Sequence, residues 1–125
     1  MDTHALLWSL SGDARLSAKA KKHYEDGGEL LFSVVSLWEI GIKLALHKAD
    51  FELEEKWWRE IPRQLIAEGV KRIDVEPEHC REVALLPLHH RDPFDRMLIA
   101  QALCTRSSVL SIDDKFDAYG IKRIW

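Results

Sequence analysis

Five of the chain's 21 acidic residues stand apart from the rest by position. Asp2 directly precedes an apolar helical stretch, and Glu39 lies in Ser36-Leu37-Trp38-Glu39-Ile40, within a run otherwise rich in core residues. Asp92 and Asp95 open Asp92-Pro93-Phe94-Asp95-Arg96-Met97, and Asp113 follows the apolar Val109-Leu110-Ser111-Ile112. Carboxylates that converge on one point repel each other and raise each other's pKa unless a cation fills the gap. Hard oxygen ligands of this kind suit Mg²⁺ or Mn²⁺. Such an ion polarises a phosphoryl oxygen and activates water for attack on phosphorus. Taken singly, each acid has a plainer use. Aspartate caps helices and favours their positive ends, and Asp92, directly before Pro93, fits a cap better than a ligand. Glu39, flanked by Trp38 and Ile40, fits that plainer use least.

The elements that must position these acids are legible in outline. Thr3–Leu10 reads as a short helix ended by the Ser11-Gly12-Asp13 turn. Ser17 caps a helix to about Asp26, which Gly27-Gly28 stops. Residues 29–34 have the look of a buried strand. Ser36 caps the next helix, to about His47, with Leu37, Ile40, Leu44 and Ala45 on one face and Ile42 and Leu46 broadening it. A helical stretch from about Glu54 to Glu68 contains Pro62, which predicts a kink or break. Lys71–Val75 reads as a strand and Glu78–Leu85 as a helix. Asp92 and Pro93 start a helix running to about Cys104. Ser108–Ile112 is a strand, Asp113–Tyr119 a turn with helical character, and Ile121–Trp125 a last strand. Strands alternating with helices imply a parallel sheet covered on both faces, an α/β three-layer domain. Such sheets carry their sites at the carboxyl ends of the strands, where the singled-out acids fall.

Composition bounds the rest. A chain of 125 residues suits a single domain, residues 1–125, with enough buried surface for a real core. A net charge of −3 argues against a protein that coats nucleic acid through phosphate neutralisation, yet leaves an acidic nuclease open. No apolar run reaches the ~20 residues that would cross a bilayer, and no signal peptide is evident. The two cysteines, Cys80 and Cys104, lack metal-ligand spacing and read as reduced, buried thiols of a cytoplasmic protein.

Four segments together resemble the successive motifs of PIN-domain proteins, most closely VapC-type toxins. They are Asp2–Trp8, Ser36–Ile40, His90–Ala102 and Leu110–Phe116. The resemblance implies a three-layer fold with a short central parallel sheet flanked by helices. It also implies a metal-dependent ribonuclease that uses Mg²⁺ or Mn²⁺ and serves as the toxin of a toxin–antitoxin pair. By the same resemblance Asp2 and Asp95 are direct metal ligands, Glu39 binds metal or orients water, and Asp113 is the fourth acid. Thr3 is a site hydroxyl, Ser111 the small hydroxyl residue before Asp113, and Asp92 a supporting acid. A cognate antitoxin and a homodimer are the implied partners. Family members carry a short apolar strand before the first aspartate, whereas only Met1 precedes Asp2. The sequence as it stands therefore predicts a sheet lacking its first central strand, from a late start or a truncated gene product. It also predicts Asp2 on a frayed terminus, with its amino group competing for the cation.

Several features keep two readings. His4, His89 and His90 fit positioning or packing better than proton transfer. Arg91, Arg96, Lys43 and Lys115 fit RNA-backbone contacts as well as ordinary surface charge. Trp8, Trp57 and Trp58 fit core packing or a groove for an antitoxin segment, and Trp57 and Trp58, being adjacent, cannot both face the core. The rival functions are a catalytically impaired PIN-fold subunit that binds protein, a phospho-accepting receiver domain and a structural interaction module. The receiver reading lacks its central acceptor aspartate and a late lysine after a strand.

Overall fold

The computed structural model describes residues 1–26 and 29–125. The predicted stop at Gly27-Gly28 lies outside them. Among the described residues six helices and four short strands follow in the order α1 (Thr3–Ser11), α2 (Ala18–Glu25), β1 (Leu31–Ser33), α3 (Val34–Ala45), α4 (Trp57–Ala67), β2 (Lys71–Ile73), α5 (Pro77–Leu85), α6 (Pro93–Thr105), β3 (Val109–Leu110) and β4 (Arg123–Ile124). A 3-10 turn at Asp114–Tyr119 joins the last two strands.

The expected single parallel sheet is split in two. β1 pairs with β2 and β3 with β4, both parallel. Between the pairs lies only the start of the chain. The Met1 amino group donates to Leu31 O at 3.0 Å, and the Asp2 amide donates to Leu110 O at 2.9 Å. Successive donors of an extended segment point to opposite sides, so Met1 and Asp2 tie β1 to β3. This overturns the expectation of a frayed Asp2. Its side chain is buried at 4% exposure, and the amino group turns to a strand carbonyl.

The covering layers form two cores. One gathers Leu6, Phe32, Ile40, Ile61, Leu65, Leu110 and Ile124, and the other Val35, Leu98, Ile99, Val109, Phe116 and Ile121. Val109 and Leu110 are neighbours that belong to different cores, as alternation across a strand requires. Helices therefore cover both faces, and burial of these apolar side chains is the main stabilising term.

Local chemistry explains most element ends. The Asp2 carboxylate caps α1 through the Ala5 amide, and Gly12 closes it with φ +66°, a left-handed conformation that glycine adopts without a Cβ clash. Asp92 caps α6 through the amides of Phe94 and Asp95, with Pro93 in the first turn. Four readings are corrected. α3 is capped by Ser33 instead of Ser36 and starts at Val34, while Ser36 is buried inside it. Its far end loses the predicted apolar face, Ala45 and Leu46 being exposed. α4 runs unbroken through Pro62. Cys80 and Cys104 are exposed and free, because each sits on the outer side of its helix. Trp8 is buried against His4 and Trp125; Trp57 packs with the first core while Trp58 faces solvent, so the adjacent pair divides as helical geometry demands.

Candidate metal centre

The acids come from the start of α1, the interior of α3, the start of α6 and the turn after β3. Asp2 sits at the start of α1, and its Oδ1 accepts the Ala5 amide at 2.7 Å. Thr3 begins the same helix, and its hydroxyl donates to Glu39 Oε2 at 2.6 Å, a buried bond between α1 and α3. Glu39 is 7% exposed, and its other oxygen pairs with Lys43 one turn along α3, at 2.8 Å. From α6 comes Asp95, and from the turn after β3 comes Asp113. Asp113 is fixed locally: its amide donates to the Ser111 hydroxyl, and its Oδ1 accepts the Lys115 amide at 2.9 Å.

His90 links the last two. Its ring is 5% exposed, and Nε2 lies 3.0 Å from Asp113 Oδ2 and 3.3 Å from Asp95 Oδ2. The Asp92 amide donates to Nδ1 at 3.2 Å. With Nδ1 accepting that amide, Nε2 is the ring nitrogen that faces both carboxylates. The loop is held in turn by Tyr119, whose hydroxyl accepts the His90 amide and donates to Pro87 O.

The electrostatics follow from this crowding. Burial, reinforced by the charges of Asp92, Glu39 and Asp2 and opposed by His90, pushes Asp95 up to about 7. Burial likewise raises Asp2, against the Ser111 hydroxyl and the Ala5 amide, which favour its charged form. Burial also acts to raise Asp113, but the bonds from His90 and the Lys115 amide, with the charge of Lys115, bring it below the usual range. A buried carboxyl held protonated by burial and by neighbouring acids, as Asp95 is, is the donor chemistry that a hard divalent cation relieves. One ligand atom each from His90, Asp95 and Asp113 lies within 4.8 Å of the others, and this cluster is capable of coordinating such an ion.

Asp95 thus feels Asp2, Glu39 and Asp92, and reaches Asp113 through His90. Asp92 itself is exposed and acts as the cap of α6. Arg96 does not face the centre as a free cation: its guanidinium donates to the carbonyls of Val83, Leu86, Pro87 and His90. It braces the loop that carries His90. His90 is the residue that sequence reasoning did not place at the centre. The available signal was its position two residues before the Asp92 cap. His89 instead packs edge-on against Tyr119 and is exposed, and His4 packs against Trp8.

A family model described as the PIN domain matches residues 1–122. A comparison with curated proteins finds no match.

Proposed function

The chain belongs to the PIN-domain family, and from that premise we propose that it is a metal-dependent endoribonuclease, the toxin of a VapC-type toxin–antitoxin pair. The observation that supports this reading is the cluster of His90, Asp95 and Asp113, with Asp2 and Glu39 near enough for their charges to act on Asp95. Asp2, Glu39, Asp95 and Asp113 are the carboxylates that would hold Mg²⁺ or Mn²⁺, with the His90 ring beside Asp95 and Asp113. When bound, the ion supplies positive charge to the phosphoryl oxygens.

The chain's own groups have separate tasks. Thr3 and Lys43 hold the two oxygens of Glu39 and fix the direction in which it can orient a water. His90 holds Asp95 and Asp113 turned towards one point. In the hydrolysis the water oxygen bonds to phosphorus and the ester P–O bond breaks. A carboxylate of the cluster takes one water proton, and the leaving oxygen departs as a hydroxyl after receiving one from solvent. Arg91 and Lys115 are exposed beside the centre and would contact the RNA backbone, whereas Lys43 and Arg96 are engaged within the protein.

A cavity of about 220 Å³ between α1 and α4, lined by Leu7, Leu10, Leu53, Trp57 and Ile61, supports a groove for an apolar antitoxin segment. A homodimer is carried over from the resemblance alone. No helix of the described residues is long and apolar enough to cross a membrane; a cytoplasmic location is part of the proposal. The test is incubation of the purified chain with mixed RNA in Mg²⁺, in Mn²⁺ and with a chelator, beside Asp95→Asn. Metal-dependent cutting that the variant loses supports the nuclease. A folded wild-type chain that cuts no RNA in either metal leaves the inactive binding subunit in its place.

A further inference from the structure

Three of the acids share a feature that metal binding does not require. Each directly follows an apolar residue that stays wholly or partly in water: Trp38 before Glu39, Phe94 before Asp95 and Ile112 before Asp113. Trp38 is 60% exposed on α3, although its neighbour Glu39 is buried. Its indole meets the half-buried Phe94 ring of α6 at a centroid distance of 5.0 Å and an interplanar angle of 78°. This edge-to-face contact fixes the indole in place while leaving most of it open.

We propose that Trp38 is a nucleobase subsite of the acidic centre, on which an unpaired base of single-stranded RNA stacks next to the cleaved phosphodiester; this rests on the nuclease reading above. Charge favours it. The chain carries a net charge of −3, and Lys43 and Arg96 are held by Glu39 and by backbone carbonyls. That leaves Arg91 and Lys115 as the exposed cations beside the centre, so phosphate neutralisation there is limited and base–aromatic stacking supplies a contact that is not Coulombic and serves any base. The strand must be single, because duplex RNA keeps its base faces stacked on each other. Area favours it too. The Trp38 and Phe94 rings match a nucleobase, and fall well short of the roughly 800 Å² that each partner contributes to a stable protein interface.

The experiment uses the full chain in the Asp95→Asn background, so that binding is read without cleavage. Anisotropy of a labelled single-stranded RNA in Mg²⁺ is compared for that parent, Trp38→Ala and Trp38→Phe. A series of RNAs with one abasic nucleotide moved along the strand is measured in parallel. Trp38→Ala should weaken binding of intact RNA about 5- to 100-fold, the range of one lost stacked base, while Trp38→Phe keeps most of the affinity. At one abasic position the parent should bind as weakly as the alanine variant, with no further loss on adding Trp38→Ala. Equal losses on intact and abasic RNA, no loss at all, equally tight duplex binding, or no binding by the parent each overturn the subsite. A chain that binds in the expected pattern but whose wild type cuts nothing keeps the subsite and loses the nuclease. One that cuts RNA without any effect of Trp38 does the reverse.

Discussion

Replacing Asp95 with asparagine should make the metal-free protein more stable while removing its activity. The carboxyl moves from its ordinary 3.8 to about 7 on folding, because it is buried among Asp92, Glu39 and Asp2. Between those values the native state keeps a proton that the unfolded state has released. Stability falls with rising pH wherever the native state binds more protons, so this group's contribution is full below pH 3.8 and lost as pH passes about 7. At 1.36 kcal/mol per pH unit the whole loss is about 4 kcal/mol. Asparagine has no proton to lose and keeps an acceptor for His90. With a chelator present, the variant should match wild type at about pH 4 and exceed it by up to about 4 kcal/mol at pH 8. Denaturant melts at both pH values measure the difference, and a domain of this size should show it as a rise in Tm of about 10 °C or more. Saturating Mg²⁺ or Mn²⁺ should raise wild type at pH 8 and leave the variant nearly unmoved, closing the gap. If the difference between the two chains is the same at both pH values, or asparagine destabilises at pH 8, burial and the neighbouring acids do not raise Asp95 as argued.

The other predictions concern the frame of the centre. Thr3→Val removes the buried hydroxyl that holds Glu39; urea unfolding should show a cost of about 1.5–3 kcal/mol, with a fall in cleavage beyond what stability explains. Arg96→Ala leaves four carbonyls without their donor and should cost at least about 2 kcal/mol in the same assay. Arg96→Lys should recover only a minor part of that, because an ammonium cannot reproduce the planar fork. Arg106 ends α6 with φ +53°, where a side chain is strained; Arg106→Gly should raise stability by about 0.5–1 kcal/mol, read from the shift in the melting midpoint.

Where one short stretch of sequence contains both a cap and a stop, the sequence placed the element well. α6 begins at Pro93 because Asp92 satisfies its first amides and proline fits the first turn. The start of α3 differs from the reading because Val34, β-branched, closes the apolar run 29–34 that reads as strand, and Ser36 offers itself as a cap. Packing decides otherwise, since Val35 enters the second core only as part of a first helical turn. The strands are shorter than their apolar runs, and the split between β1 and β3 is a property of pairing across the sheet that periodicity along one segment cannot report.

The centre divides in the same way. Acids at strand ends and helix starts could be singled out because the α/β rule concerns position along the chain. His90 and Arg96 depend on partners that the linear sequence does not bring near. His89 and His90 are adjacent and alike, yet only His90 receives the Asp92 amide on one nitrogen and faces Asp95 and Asp113 with the other, while a tyrosine 29 residues away holds its backbone. Arg96 looks like an RNA contact until its four carbonyl partners are seen. Asp2 shows the converse. One residue from the chain start would ordinarily fray, but alternate donors to Leu31 and Leu110 and a carboxylate bonded to the Ala5 amide hold it from three sides. The same contacts that close the gap between the two strand pairs thus set the first acid of the centre, so sheet integrity and site geometry at this position are one constraint.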